Sequence, residues 1–384
     1  MSLFEEFDRI ARQPIAEAVA LPFAVYSDEA FYQREVETIF HADWVFVCNS
    51  FSVKNPGDKF AVVIGGEPVV VIRGSDGRLR AMSNVCTHRG TPLADEGFSN
   101  APNMVCPYHS WNFTLEGELK GAPYTGSVDI DKSAHCLPQY KLEEWYGLVF
   151  VNIDGNAPPL AERYAGMESY MALYNQGAHA YGTEWETEVW DSNWKLVMEN
   201  AMESYHLFKV HKPTLETVTP TKGAYYVEGN AEWTLTAGEY VGFMDPLRKL
   251  TGNKKTGPQN NYLLISLPPS FVGILSADGS NGYLAMLPDG PGRTFARGGA
   301  LGPKPYKPSK VEAKFTADFF AEDKWICERA QKSMCTRNAV GGKLVELERI
   351  VQDFHRYLAV RMSGADVGAT YRNPDIDMRL LQAS

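Results

Sequence analysis

Long apolar runs are scarce in this sequence of 384 residues. The longest, such as Leu148 to Ile153, fall far short of the ~20 residues that span a bilayer, so no membrane partner is expected. Positive charge is in deficit. Against 47 Asp and Glu stand 37 Lys and Arg, a formal charge of −10, which argues against a binder that tracks nucleic-acid phosphates. An acidic surface mildly favours a cationic small molecule instead. Cysteines number six (Cys48, Cys86, Cys106, Cys136, Cys327, Cys335), too few for a disulfide framework in a chain this long. Residues Met1 to Arg12 carry Glu5, Glu6 and Asp8 with no apolar core behind them, so no secretory signal is expected and the cytoplasm is the expected location. Clustered thiols then read as metal ligands. Internal repeats and low-complexity tracts are missing too. No G-x-G-x-x-G follows a strand-like run, so the chain carries no fingerprint for taking hydride from NAD(P)H itself.

What is present reads as a soluble globular protein, 44% hydrophobic and 22% charged, long enough for two domains. Residues 1–40 form a helical N-terminal segment expected to pack on the larger domain, with a helix over Ser27 to Phe40 begun by Asp28 and Glu29. Residues 41–155 alternate short β-rich runs (Trp44 to Val47, Phe60 to Ile64, Pro68 to Arg73, Leu148 to Ile153) with Asn-Pro-Gly-Asp, Gly-Gly and Asp-Gly turns. That is a small antiparallel β domain. Asn156-Ala-Pro-Pro-Leu160 marks the boundary. Residues 156–384 mix helical patterns (Leu160 to Tyr174, Asn193 to His211, Val311 to Arg337, Lys343 to Met362) with strand-like runs between Ala224 and Ala300. The fold class is α+β, with helices on an antiparallel sheet. Loops at Thr251 to Asn260 and Gly290 to Arg293 are expected to be mobile or functional.

Two constellations carry chemistry. Cys86-Thr87-His88 is followed, after seventeen intervening residues, by Cys106-Pro107-Tyr108-His109. Two thiolates can hold one iron while two imidazoles hold another, and replacing thiolate by imidazole raises a cluster's reduction potential. A structural zinc site uses the same atoms, but zinc fingers pair Cys with Cys and His with His along the chain. The second constellation is Asn193-Trp194-Lys195, Glu199-Asn200, Glu203, His206 and His211. On one helix, positions 199, 203 and 206 share a face. His206 and His211 lie about 140° apart around an ideal helix, so they converge only if it kinks or ends between them. Two His and one carboxylate with open positions suit non-haem Fe(II).

Cys86-Thr87-His88-Arg89-Gly90 with Leu93, and Cys106-Pro107-Tyr108-His109 with Trp111 and Phe113, resemble the two cluster loops of a Rieske [2Fe–2S] domain. Ser110 stands where many members have Gly. The segment from Asn193 to His211 resembles the mononuclear iron segment of Rieske non-haem iron oxygenases, so the likeness to their α subunit spans nearly the whole chain. The resemblance implies His206 and His211 as iron ligands with an Asp from a late helix. Asp323, in Glu322-Asp323 to Gln331, matches that pattern, and Asp353 before Phe354-His355 is the runner-up. It further implies Asn200 and Glu203 as catalytic residues. The family's usual Asp at position 203 bridges an iron ligand to a cluster histidine, here His109, of the neighbouring subunit. A Glu there resembles the branch acting on carnitine-like quaternary ammonium compounds.

The same resemblance implies O₂ and a small organic substrate, and a separate reductase bringing electrons from NAD(P)H through flavin and Fe–S centres. It also implies a homotrimer with head-to-tail contacts. Competing readings are an aromatic-ring hydroxylating oxygenase, a pure electron-transfer Rieske protein, and a zinc-stabilised binding module. The chain has 8 Trp, 19 Tyr and 19 Phe, enough aromatic wall for either substrate class.

Overall fold

The computed structural model describes residues 1–242, 256–364 and 371–382. Strand runs punctuated by Gly and Asn turns build a seven-stranded antiparallel sheet in the first half. Its order is Val45–Asn49, Leu148–Asn152, Gln139–Trp145, Leu79–Ser83, Glu67–Arg73, Asp58–Ile64 and Gly97–Asn100. A small three-stranded sheet (Met104–Val105, Asn112–Phe113, Leu119–Gly121) carries the second Cys/His loop beside it. Ala61, Val70, Ile72 and Met82 pack beneath both loops together with Trp111 and Phe113.

The second half is a nine-stranded antiparallel sheet whose centre is a meander of Thr234–Glu239, Asn261–Leu267, Phe271–Leu275, Asn281–Pro288 and Thr294–Gly302. Successive side chains of a strand point to opposite faces, and here both faces are covered. Leu264, Leu284 and Met286 pack with Trp194, Val197 and Phe354 of the helices on one side. Leu263, Ile265 and Ala285 pack with Tyr164, Tyr170 and Tyr174 on the other. Strands Tyr181–Glu184, Glu188–Trp190 and Tyr371–Arg372 were not legible in the sequence. They are short and gain their pairing only from strands far along the chain.

Several helices differ from expectation. Ser27 to Phe40 is a helix over Glu29–Glu35 that widens into a π turn over Val36–Phe40. Leu160 to Tyr174 divides into Leu160–Arg163 and Glu168–Leu173, with Gly166 between them packed on Trp233. The last long helix begins at Arg349 rather than Lys343, because Lys343 is drawn into a bridge with Val19. Gly290 to Arg293 is a tight turn closed by Asp289 N–H to the Arg293 carbonyl at 2.9 Å. Part of the other glycine-rich loop, 251–255, lies outside the described residues.

The N-terminal segment packs on the larger domain, as Phe7 and Ile10 join Phe354 and Leu358 in one core. It also touches the small domain, where Val36 and Phe40 pack so close to Gly65 that a Cβ there would come within 3.2 Å of both. Among the described residues no helix is long and apolar enough to cross a membrane.

Candidate functional site

The two Cys/His loops are built alike. Gly90 N–H closes back on the Cys86 carbonyl at 2.9 Å, and Ser110 N–H closes on the Cys106 carbonyl at 3.0 Å. Both turn residues have positive φ, 77° for Gly90 and 57° for Ser110, so the Ser stands in a conformation that glycine adopts without strain. Cys86 and Cys106 are buried and His88 is exposed, with its ring 4.7 Å from that of His109. Burial raises the Cys106 thiol, but backbone N–H groups of Tyr108 and His109 aim at its sulfur and bring it below the ordinary value. His109 Nδ1 is buried without a partner, while Nε2 lies 2.7 Å from Arg89. Two thiols and two imidazoles, one nitrogen of them unsatisfied, fit a Rieske cluster's donor set.

In the larger domain Asn193 caps helix Trp194–Met202, accepting from Lys195 N–H. The helix is fixed in the core by a buried ion pair, Lys195 to Glu35 at 2.6 Å, and by Trp194 donating to the same carboxylate at 2.9 Å. Glu199 is held by Tyr26 (2.7 Å) and His355 (3.0 Å). Sequence reasoning missed Glu35, Tyr26 and His355, which reach the helix from more than 150 residues away in the chain.

The helix does not run on to His211 as expected. It ends at Met202, because Glu203 turns extended and its carboxylate takes the N–H groups of Tyr205 and His206. Both histidines therefore lie beyond the helix end, with ring centroids 5.0 Å apart. From the long helix Lys310–Met334, Asp323 meets them: its Oδ1 is 2.9 Å from His211 Nε2 and 3.5 Å from His206 Nε2. One donor atom from each of His206, His211 and Asp323 lies within 4.8 Å of the others. Asn200 Nδ2 donates to Asp323 Oδ1 at 2.7 Å. Asp353 does not join this group. It is buried against Tyr226, whose hydroxyl donates to it at 2.5 Å.

Each imidazole has its other nitrogen on a carboxylate: His206 Nδ1 on Glu203 at 2.5 Å, His211 Nδ1 on Glu322 at 2.8 Å. This presents Nε2 of both rings to one point, and His206 Nε2 is buried without a hydrogen bond. Glu322, also bonded by Thr214, is a fourth residue whose role the sequence concealed. Burial alone lowers the His206 imidazole, yet Glu203 and Asp323 push it up to about 10. Burial raises Asp323, yet both histidines hold it down to about 2. The site calls for positive charge. Two His and a carboxylate of this geometry fit an Fe(II) ion.

A cavity of about 250 Å³ opens onto these three residues. Trp185, Tyr262, Tyr306, Phe319 and Phe320 form much of its wall, and among the described lining residues there is no Lys or Arg. Trp185 packs against Gly298, where a Cβ would come within 1.9 Å of the ring. Glycine is required there.

The sequence matches two family models, Rieske [2Fe–2S] domain over residues 43–141 and ring hydroxylating alpha subunit (catalytic domain) over residues 176–364. The glycine betaine monooxygenase oxygenase subunit of Chromohalobacter salexigens is 32% identical over 199 residues, 52% of this chain and 44% of that one. The carnitine monooxygenase oxygenase subunit of Acinetobacter baumannii is 33% identical over 228 residues, 58% of this chain and 60% of that one. The matches thus span about half of these curated relatives. The crystal structure of the quaternary ammonium Rieske monooxygenase CntA has the same fold, with a TM-score of 0.79 at 22% identity over 93% of this chain and 98% of that one.

Proposed function

We propose, on the premise that the chain belongs to the family joining a Rieske [2Fe–2S] domain to a ring-hydroxylating α-subunit catalytic domain, that it is the terminal oxygenase of a multicomponent system. It hydroxylates, or oxidatively cleaves or demethylates, a small organic substrate with O₂. Electrons come from NAD(P)H through a separate flavin and Fe–S reductase. A carnitine- or betaine-like quaternary ammonium compound is the favoured substrate, the class named for the relatives above. The cytoplasm is the proposed location.

The carrying observation is the aromatic cavity that ends on His206, His211 and Asp323. Ring faces attract a trimethylammonium group by ~0.5–2 kcal/mol each, and no lining Lys or Arg among the described residues repels it. Aromatic walls equally suit an aromatic ring, so ring hydroxylation is the second reading. Iron held by His206, His211 and Asp323 would supply O₂ activation, and a cluster held by Cys86, His88, Cys106 and His109 would supply single electrons. The chain's own residues do the rest. Asn200 fixes Asp323, Glu322 fixes His211, and Glu203 holds the Nδ1 side of His206. The apolar wall limits water at the reacting carbon.

Among the described residues Glu203 makes no bond to His109 of the same chain, and Tyr205 and Phe208 beside it are exposed. A homotrimer supports its role, with the neighbour's cluster histidine brought to Glu203. The test is reconstitution with a surrogate reductase, following substrate-dependent O₂ uptake and product. Turnover of carnitine, γ-butyrobetaine or glycine betaine supports the favoured reading. Turnover of aromatic acids alone transfers the assignment to ring hydroxylation.

A further inference from the structure

The active-site cavity continues outward. A cleft of about 770 Å³ shares Ile274, Gly282, Ala300, Tyr306 and Thr316 with it. Tyr306 is the divider. It sits in Pro303-Lys304-Pro305-Tyr306-Lys307-Pro308, where three prolines restrict the backbone, and it is 42% exposed while still lining the inner space. Its ring stands 6.2 Å from that of Trp185. The two spaces thus adjoin at Tyr306, the inner one reaching His206, His211 and Asp323 and the outer one lying past the Tyr306 ring.

Charge in the cleft is unevenly satisfied. Four charged side chains line it: Asp278, Glu312, Lys304 and Lys307. Both acids are already used locally. Asp278 accepts from the N–H and hydroxyl of Ser280, at 3.0 and 2.6 Å, and Glu312 accepts from Ser309 N–H at 2.7 Å in a capping box. Lys304 and Lys307 have no hydrogen bond or ion pair among the described residues, in a chain whose net charge is −10. The four formal charges cancel, and the ammonium groups of Lys304 and Lys307 are the members left free to meet an anion.

We propose that the cleft is the tail subsite of the oxygenase, and that Lys304 and Lys307 select substrates carrying a carboxylate some bonds away from the reacting end. The inference rests on the oxygenase reading and deepens it. The aromatic cavity takes the apolar or trimethylammonium head, and the two lysines take the anionic tail. Each lysine is exposed, so its contribution is modest, falls with added salt, and shows mainly as discrimination between substrates.

The experiment is equilibrium binding to the assembled, metal-loaded enzyme without reductase, read by calorimetry and by fluorescence, since Trp185 lines the cavity. Probes are γ-butyrobetaine, glycine betaine and tetramethylammonium, with salicylate and phenol in parallel. For wild type against the double variant Lys304→Gln/Lys307→Gln, we expect the Kd of γ-butyrobetaine to rise about five- to tenfold, and that of tetramethylammonium to stay unchanged. The difference should shrink at high salt. Equal Kd changes for the two, or none, overturn the tail subsite. If no quaternary ammonium probe binds the wild type, the favoured substrate class falls, and the salicylate–phenol pair decides the subsite by the same criterion. Dithionite reduction of the cluster checks that the variant is intact.

Discussion

Asn200 and Asp323, 123 residues apart in sequence, are joined by a 2.7 Å hydrogen bond from the amide of one to Oδ1 of the other. The bond ties helix Trp194–Met202 to helix Lys310–Met334 at the point where both reach the histidines. A carboxylate left to rotate presents either oxygen to any cation. This one is held by a neutral donor that leaves its charge intact, so the donor set is arranged before a metal enters.

Asn200→Ala and Glu322→Ala should therefore weaken iron retention about 10- to 100-fold while leaving the ligand atoms in place. Both variants should regain turnover when Fe(II) is supplied in excess, and the cluster spectrum should be unaltered. The measurement is iron content after dialysis against a graded chelator. Iron retention equal to wild type in both would remove the orienting role.

Asp353 separates the two candidates for the third ligand and also gives a pH dependence. Burial raises its carboxyl to about 6 from an ordinary 3.8, against the lowering effects of Tyr226, Arg356 and Arg349. A carboxyl raised in the folded state stays neutral while its unfolded counterpart ionises, so its penalty grows from about pH 4 and is complete above about pH 6. Asp353→Asn removes that titration and keeps an acceptor for Tyr226. Relative to wild type, the variant should gain about 3 kcal/mol between pH 4 and pH 7, read from urea midpoints at matched pH. Its iron content should be unchanged, whereas Asp323→Asn should lose iron. The opposite pattern would move the third ligand to Asp353.

Residues close in sequence were the legible part of this protein. Cys86-x-His88 and Cys106-x2-His109 need only their own turns to bring their side chains together, and those turns close through Gly90 N–H on Cys86 and Ser110 N–H on Cys106. His206 and His211 converge as well, but by another route. The helix expected through them ends at Met202, because a side chain competing for backbone N–H groups carries no periodic signal. Glu322, Glu35, Tyr26 and His355 were not legible as partners. Each acts on a residue over a hundred positions away, and nothing local distinguishes a second carboxylate beside Asp323 from a solvated one.

For the cluster, Cys86→Ser or Cys106→Ser should abolish the reddish-brown absorption and turnover while the mononuclear iron still binds. Ser110→Gly should keep the cluster and raise stability by about 1 kcal/mol, because it removes a side chain from a positive-φ position. Retained cluster absorption in both cysteine variants would reassign the ligands.

Glu203 carries the last prediction, because it separates electron transfer from metal binding. One oxygen lies 2.5 Å from His206 Nδ1, and the other caps the turn through Tyr205 and His206 N–H. Glu203→Gln keeps the shape, removes the charge and turns one acceptor into a donor, so either the imidazole or the turn loses its strong partner. Both metals should still bind, since their proposed ligands lie elsewhere. Reduction of the cluster by the reductase should stay near normal, while its reoxidation in a single turnover with substrate and O₂ should slow by about 10- to 100-fold. Glu203→Asp restores the family's usual residue but shortens the reach by about 1.5 Å, one C–C bond. The backbone at Glu203 is extended and the helix ends one residue earlier, so the shorter acid must shift this turn to keep both the N–H cap and the contact to Nδ1. Its activity should be partial. Reoxidation at the wild-type rate in Glu203→Gln would reduce Glu203 to a turn cap and withdraw its bridging role.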